Sequence, residues 1–534
     1  MKMINAIMSF AVVASMAGCV EDLSTTGDEF MENDNTYAPA KIRNIMDEHE
    51  IKSVRFFTEG ANQETGMAYN SSLDKQTLTT GASGMGVMNI IIGVERGWLS
   101  REAGAEQVAK ITRFLKTADK FDGSFAHWYS PQGKIIAFGN QNQAGEIVET
   151  AFMMGGLLTA CEYFNQENDI EIELRKNTEE LWNNINWRRF VKDGMLYWIW
   201  HQDEDRYELP VVGWNETLLV YILGMAAPEG HNIPVDVYNN CWQGYNFCHK
   251  GRQTYGYSLP LGSDKGGPLF LAHYSFLGLD PKRMEDKYCF YWRQNQNHTM
   301  INRHYCLYEA PKEYNYNESD WGLTACSGVG EESGYLSRDP EYDDGVLAPT
   351  AALSSMPYTP FYSTQVLLNL QYNYAKLNGK YGFGVAYRPA KKEVNVEYLA
   401  MEHAPMAVMF ENYRSGLIWN LMMRNEHVRK GLQLAGITEP AGQTGFYTSV
   451  VNSQTGCYDM MRHPDRECYE IDYYSRTGGN AMLRLTTSSG ETVMSKSLEL
   501  SSGVNTVQFY DPNVMRNRKY TLTLESSSIN VILH

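Results

Sequence analysis

Two kinds of helical segment alternate between residues 39 and 435, and this alternation constrains the fold more than any other feature. Some segments are amphipathic. Ala105 to Leu115 carries apolar residues at three- and four-residue spacing. Others are apolar on every face, notably Val148 to Leu158 and Leu218 to Leu223, and a helix with no polar side has no place at a surface. The pattern predicts helices at 40–57, 84–96, 101–118, 145–164, 168–186, 215–226, 233–247, 267–278, 289–303, 349–356, 360–376, 404–411 and 425–435. Amphipathic and wholly buried helices in alternation build two layers, one ring around another. Roughly a dozen helices in that order predict a mainly α architecture, an (α/α)6 toroid or barrel.

Past Pro440-Ala441-Gly442 the periodicity changes. Met482 to Thr486 alternates, Ser489-Gly490 turns, and Val493 to Leu500, Val504 to Phe509 and Tyr520 to Glu525 follow as strands. Short strands at this spacing predict a small C-terminal β-sandwich over 440–534. It carries no catalytic constellation. Sugar binding and plain packing both suit it, and packing is the simpler reading.

The N-terminus reads as an address. Lys2 precedes a short apolar run, Ile4 to Ala14, and Met16-Ala17-Gly18-Cys19 forms a bacterial lipobox. Residues 1–18 are expected to be cleaved as a signal peptide, leaving Cys19 to be lipidated. Residues 19–38, rich in Thr, Asp, Glu and Asn, are a flexible tether. The acidic Val20-Glu21-Asp22 resembles a surface-export signal, so the chain is expected on the outer membrane, at its periplasmic face or the cell surface. The lipid is then the expected membrane contact, since no other stretch is long and apolar enough to cross a bilayer.

The formal net charge of −17 argues against a nucleic-acid partner, which requires a basic surface. Aromatic residues make up 12% of the chain, with 35 Tyr and 11 Trp. Flat rings on an acidic, exported protein suit a neutral poly- or oligosaccharide. Of nine cysteines, eight remain after Cys19, and spacing alone establishes no pair among them. No zinc pattern occurs, and no metal or organic cofactor is expected.

Two carboxylate sites stand out. In Gly213-Trp214-Asn215-Glu216-Thr217-Leu218, Asn215 is a good N-cap and Glu216 sits at the mouth of an apolar helix. The helix end favours the charged form, and an apolar pocket raises the pKa as a general acid requires. Glu216 could equally do no more than cap its helix. In Gly145-Glu146-Ile147-Val148-Glu149, Glu146 and Glu149 share one helix face, so a cavity or a cationic partner must lie near. Gly155-Gly156, in mid-helix, predicts close backbone packing against another helix.

Several long motifs fall in one order: Gly266-Gly267-Pro268 through Asp280-Pro281, His298 to Arg303, Trp321 to Thr324, Asp343 to Ala352, and Glu411 to Trp419. Together they resemble the glucoamylase-like proteins of glycoside hydrolase family 144, over roughly residues 39–435. The resemblance implies an (α/α)6 barrel and inverting hydrolysis of β-1,2-glucan. It implies Glu216 as general acid and Glu402, in Glu402-His403-Ala404-Pro405, as general base. Relatives carry Asp at the base position and Asp at the positions of Asn142 and Glu146, while Glu149 is kept. Asn142, Glu146 and Glu149 then hold the sugar at the cleavage site. Trp128, His273, Tyr274, Trp321 and Arg414 match motif positions near the expected cavity.

This chemistry needs one protonated carboxyl and one charged carboxyl in different environments. Glu216 suits the acid. Glu402, ahead of Ala404-Pro405, is expected on a loop as a more solvated base. Two other readings remain open. One is a surface glycan-binding lipoprotein with reduced or lost hydrolysis, motivated by the altered base position. The other is a polysaccharide lyase, which the acidic balance and carboxylate-centred motifs oppose.

Overall fold

The structure is a computed structural model that describes residues 39–139, 143–242, 248–330, 334–442, 444–447, 455–512 and 514–534. The signal peptide, the tether with Cys19, and Asn142 lie outside the described residues.

Helices dominate up to Ala435: α1 Pro39–Phe57, α2 Thr80–Glu95, α3 Arg101–Thr117, α4 Ile147–Tyr163, α5 Asp169–Asn184, α6 Leu218–Ala226, α7 Val235–Trp242, α8 Tyr291–Tyr308, α9 Pro349–Leu353, α10 Pro360–Asn373, α11 Ala400–Arg414, α12 Leu417–Met422 and α13 Glu426–Ala435. Their burial follows their composition. Every residue from Thr80 to Gly93 of α2, from Ile147 to Ala160 of α4 and throughout α6 is buried. By contrast α3 and α5 bury one stripe each. Helix α2 packs on α4 and α11, α4 on α6, and α9 on α11, while α1, α3, α5 and α13 lie against this inner set. That layering is consistent with an α/α toroid.

The predicted close approach lies between α2 and α4. A Cβ added at Gly156 would stand 2.0 Å from the Gly84 carbonyl oxygen, and one at Gly84 would stand 2.4 Å from the Met153 Cα. Larger residues would separate two fully buried helices.

Three of the differences from the sequence expectation bear on the site. The segment at 267–278 is two short 3-10 helices, Leu269–Ala272 and Ser275–Leu277. The Ser275 hydroxyl accepts from the Leu219 N–H and donates to the Glu216 carbonyl, which ties this segment to α6. Helix α6 begins at Leu218 rather than Asn215, so Glu216 stands on the turn ahead of it, where Asn215 Oδ1 accepts from the Thr217 N–H. Helix α11 begins at Ala400 and absorbs Pro405. Proline disfavours helical geometry in the residue before it, which argued for a later start. The helix runs through it at its sixth residue, giving up the one backbone hydrogen bond that a proline cannot donate, with every residue from Glu402 to Asn412 buried around it.

After Gly445 the chain forms two sheets. One has three strands, Gly445–Tyr447, Tyr469–Ser475 and Gly503–Phe509. The other has five, in the order Tyr458–Met460, Ser527–Leu533, Arg518–Leu524, Gly479–Thr487 and Thr492–Leu500. Residues from both, including Ile471, Tyr473, Leu485, Leu522 and Val531, share one apolar cluster. No described helix is long and apolar enough to cross a membrane.

Candidate active site

The site forms where the N-terminal ends of α2, α4 and α11 and the turn before α6 meet. Glu146 is the residue before α4, and Glu149 lies in that helix's first turn. Both are nearly fully buried. The Gly81 N–H, in the first turn of α2, donates to Glu149 Oε2 at 2.6 Å. Burial raises the Glu149 pKa, and Glu146 adds to the rise, while His127 and the Gly81 N–H oppose it.

The cationic partner is His127. Its Nδ1 lies 2.8 Å from Glu146 Oε2 and 3.9 Å from Glu149 Oε1. Burial works against a charged ring, but Glu149 and Glu146 outweigh it, and the His127 pKa rises to about 9. The ring stacks on Phe138 at 4.2 Å and meets the Trp128 edge at 5.0 Å, which fixes its plane. Sequence reasoning singled out Trp128 and passed over its neighbour. The signal was faint, because the His127 partners lie 19 and 22 residues further on. These three side chains offer donor atoms within 4.8 Å of one another, a geometry that could hold a metal ion. A protonated His127 meets the same need without one.

Glu216 is half-buried. Desolvation of its carboxyl raises its pKa to about 7, with a further push from Glu149, while its own backbone N–H acts in the opposite sense. That is the environment a general acid requires.

Glu402 departs from expectation. It lies in the first turn of α11, not on a loop, and is 4% exposed. Thr350, Phe383, Tyr398 and Met406 surround it, and neither carboxylate oxygen has a hydrogen-bond partner among the described residues. Burial raises its pKa well above the ordinary range, Glu397 adds to this, and Arg338 opposes it. The expected solvated base is therefore a desolvated carboxyl.

Tyr274 joins these groups. Burial raises its hydroxyl pKa, and among the charges that push it further are Glu402, Glu216 and Glu149, so all three carboxylates lie within electrostatic reach of it. Its ring stacks on Phe270 at 5.0 Å and meets Phe152 edge-on at 5.9 Å. The structure thus brings together Trp128, Glu146, Glu149, Glu216, Tyr274 and Glu402.

Three expected sugar contacts stand elsewhere. His273 is 1% exposed, its Nε2 lies 2.9 Å from Ser355 Oγ, and burial lowers its pKa to about 3. It is a neutral core residue. Trp321 is wholly buried in an apolar cluster with Tyr305, Leu323 and Leu347. Arg414 ends α11, bound to Asp47 and, at 2.7 Å, to Glu50. Its Cα is about 18 Å from that of Glu402 along the helix. A motif match marks these three positions, but His273 and Arg414 are bonded within the protein and the Trp321 ring is packed in its core.

Residues 208–426, which contain both Glu216 and Glu402, match the Glycoamylase family model, described as "Putative glucoamylase". An exo β-1,2-glucooligosaccharide sophorohydrolase (non-reducing end) from Parabacteroides distasonis is 37% identical over 438 residues. The match covers 77% of this chain but 60% of that protein's length. Among solved structures, a Bacteroides uniformis protein with the same glucoamylase description is 41% identical, with a TM-score of 0.71, over 75% of this chain and 98% of its own. An endo-β-1,2-glucanase from Chitinophaga pinensis, in complex with sophorotriose and glucose, is 39% identical, with a TM-score of 0.70, over 75% of this chain and 99% of its own. With nearly the whole of two such structures matched, the chain belongs to the glucoamylase-like family, the glycoside hydrolase family 144 group that its motifs anticipate.

Proposed function

We propose that the chain is an exported, inverting glycoside hydrolase that cleaves a neutral β-linked glucan, β-1,2-glucan or a related glycan. The observation that carries this reading is the gathering of Glu149, Glu216 and Glu402, each raised in pKa by burial, around Tyr274. The names of the sophorohydrolase and endo-glucanase relatives point to the β-1,2 linkage.

Glu216, protonated below about pH 7, gives its proton to the leaving glycosidic oxygen. Glu402 activates water on the opposite face of the sugar, through a substrate hydroxyl. Inverting enzymes separate the two carboxyls by roughly 6.5–9.5 Å to admit that water. Burial favours the protonated form of Glu402. A sugar hydroxyl that donates to its unpartnered oxygens favours the charged form, so the base is made as substrate binds. Glu146, Glu149 and Asn142 accept or donate at the sugar's hydroxyls, Trp128 and Tyr274 offer faces to its rings, and His127 balances the two acids. No metal or organic cofactor enters this scheme.

Residues 39–435 form the (α/α)6 toroid in this reading, and 440–534 form an accessory β-sandwich. Residues 1–18 are a signal peptide and Cys19 carries the lipid anchor, on the strength of the lipobox. Incorporation of labelled fatty acid by wild type and its loss in Cys19→Ala tests the anchor.

One observation favours a second reading. A Glu402 that stays protonated would leave a glycan-binding lipoprotein without turnover. Reducing-end release from a panel of β-linked glucans decides between the two. Release by wild type, with loss in Glu216→Gln and Glu402→Gln, supports hydrolysis. Binding without release supports the second reading, and full activity in Glu216→Gln removes the acid assignment.

A further inference from the structure

A second cavity, of about 660 Å³, lies away from the carboxylate cluster. It runs along the outer side of α8 and is closed by the C-terminal sheets. Trp292, Gln296, Met300 and Arg303 recur on one helix face and form one wall; Tyr458 and Ile471 belong to the opposite one. The size suits a ligand site.

The donors in this cavity are unspent. Arg303 is 9% exposed, its Nε is buried without a hydrogen-bond partner, and its guanidinium lies 4.0 Å above the Tyr362 ring. Arg293 has one long hydrogen bond, 3.4 Å to Gln296 Oε1, lies 5.9 Å above the Tyr447 ring, and has its pKa lowered by burial. Neither arginine has a carboxylate partner among the described residues. The acids of the cavity are already engaged. Asp472 accepts from Trp292 Nε1 at 2.8 Å and from Lys282 at 3.3 Å, Glu470 pairs with Arg466 at 3.3 Å, and Asp459 lies 3.0 Å from His534 Nε2. Leaving a guanidinium desolvated and unpaired is costly, so the geometry implies an occupant with hydrogen-bond acceptors.

We propose that this cavity binds a second stretch of neutral oligosaccharide. Its walls set the acceptor oxygens of Asp459, Glu470 and Asp472 beside the donors of the two arginines, a mixed lining that suits hydroxyl groups, which both donate and accept. A polyhydroxyl ligand accepts from Arg293 and Arg303 and lays its rings on the faces of residues such as Tyr257 and Tyr458. The choice of a glucan rests on the proposed function; the site itself rests on the cavity and its unpaired arginines.

Calorimetric titration of full-length Glu216→Gln with neutral β-linked gluco-oligosaccharides of several linkages, and with a uronic-acid oligosaccharide, tests the proposal. Two binding events are expected for a neutral oligosaccharide. Adding Arg303→Ala should weaken one of them about tenfold or more and leave the other unchanged. Arg303→Lys serves as the milder variant if the alanine form does not fold. In the wild-type background Arg303→Ala should leave hydrolysis of a short oligosaccharide unchanged. A single event unmoved by either Arg303 change overturns the proposal, as does binding of the uronate in preference to every neutral sugar. Failure of the functional reading looks different: wild type then releases no reducing ends, while the titration still reports on the cavity.

Discussion

His127 Nδ1 stands 2.8 Å from Glu146 Oε2 and 3.9 Å from Glu149 Oε1, so one ring serves two carboxyl groups that would otherwise face each other in a buried site. Its pKa, about 9 in the folded chain, lies above the unfolded value of about 6.5. The stabilisation is therefore complete below about pH 6.5 and is lost as pH rises through about 9. Urea unfolding across this window should show wild-type stability falling by on the order of 1–3 kcal/mol. His127→Gln should lack that fall. A flat wild-type profile would remove the ion pair from the account.

Glu216 sets the alkaline limb of catalysis. An acid with a pKa of about 7 is active below that pH, and kcat/KM should drop about tenfold per pH unit above it. Glu216→Gln should lower kcat roughly 10²- to 10⁴-fold on a glucan. A substrate with a nitrophenolate leaving group needs no proton and should recover much of that loss. An unshifted alkaline limb in Glu216→Asp would point to a different acid.

Glu402 should trade stability for activity. Its folded pKa lies above the unfolded value, so ionisation of the unfolded chain lowers stability as pH rises beyond about 4.3. Glu402→Gln removes that penalty. The variant should melt above wild type at pH 7, with the difference vanishing below about pH 4, while reducing-end release is lost. Thermal melts at both pH values check the sign.

The inner helices were legible because burial leaves a direct mark: α2, α4 and α6 are apolar on all faces, and Gly156 marks the point where α4 meets the backbone of α2. Glu402 was misread because Pro405 reads as the start of a helix, which left Glu402 on the loop ahead of it, whereas the helix begins at Ala400 and runs through the proline. His127 was invisible for another reason. Its role lies in partners brought close by the fold, and a lone histidine between Ala126 and Trp128 carries no local pattern. The strand Tyr469–Ser475 was also missed. In it Asp472 is held by Lys282 and Trp292 of the helical region, and Glu470 by Arg466, partners that lie far off in the chain or carry no strand pattern.

Gly81 is needed by Glu149. Its N–H donates to Glu149 Oε2, and an added Cβ would stand 2.8 Å from that same oxygen and 3.2 Å from Phe152 Cδ2. Gly81→Ala should displace the carboxylate, and a shift of about 1 Å can cost roughly a hundredfold in rate. The expected outcome is a large fall in kcat/KM with a folded protein by circular dichroism. Unchanged kinetics would mean that Glu149 does not touch the substrate.

Arg414 separates a motif match from a functional residue. It pairs with Asp47 and with Glu50, and Glu50 is wholly buried, its pKa raised by burial to about 8 even though Arg414 lies beside it. Arg414→Ala leaves that carboxyl without its nearest cation. Breaking a buried pair on one side costs about 3–5 kcal/mol, and Glu50 can soften this by taking up a proton. The variant should therefore lose more stability at pH 9, where Glu50 must ionise or pay to stay neutral, than at pH 6. Its kcat/KM, measured well below its melting temperature, should match wild type, since Arg414 lies at the opposite end of α11 from Glu402. A raised KM with unchanged stability would return Arg414 to the sugar site.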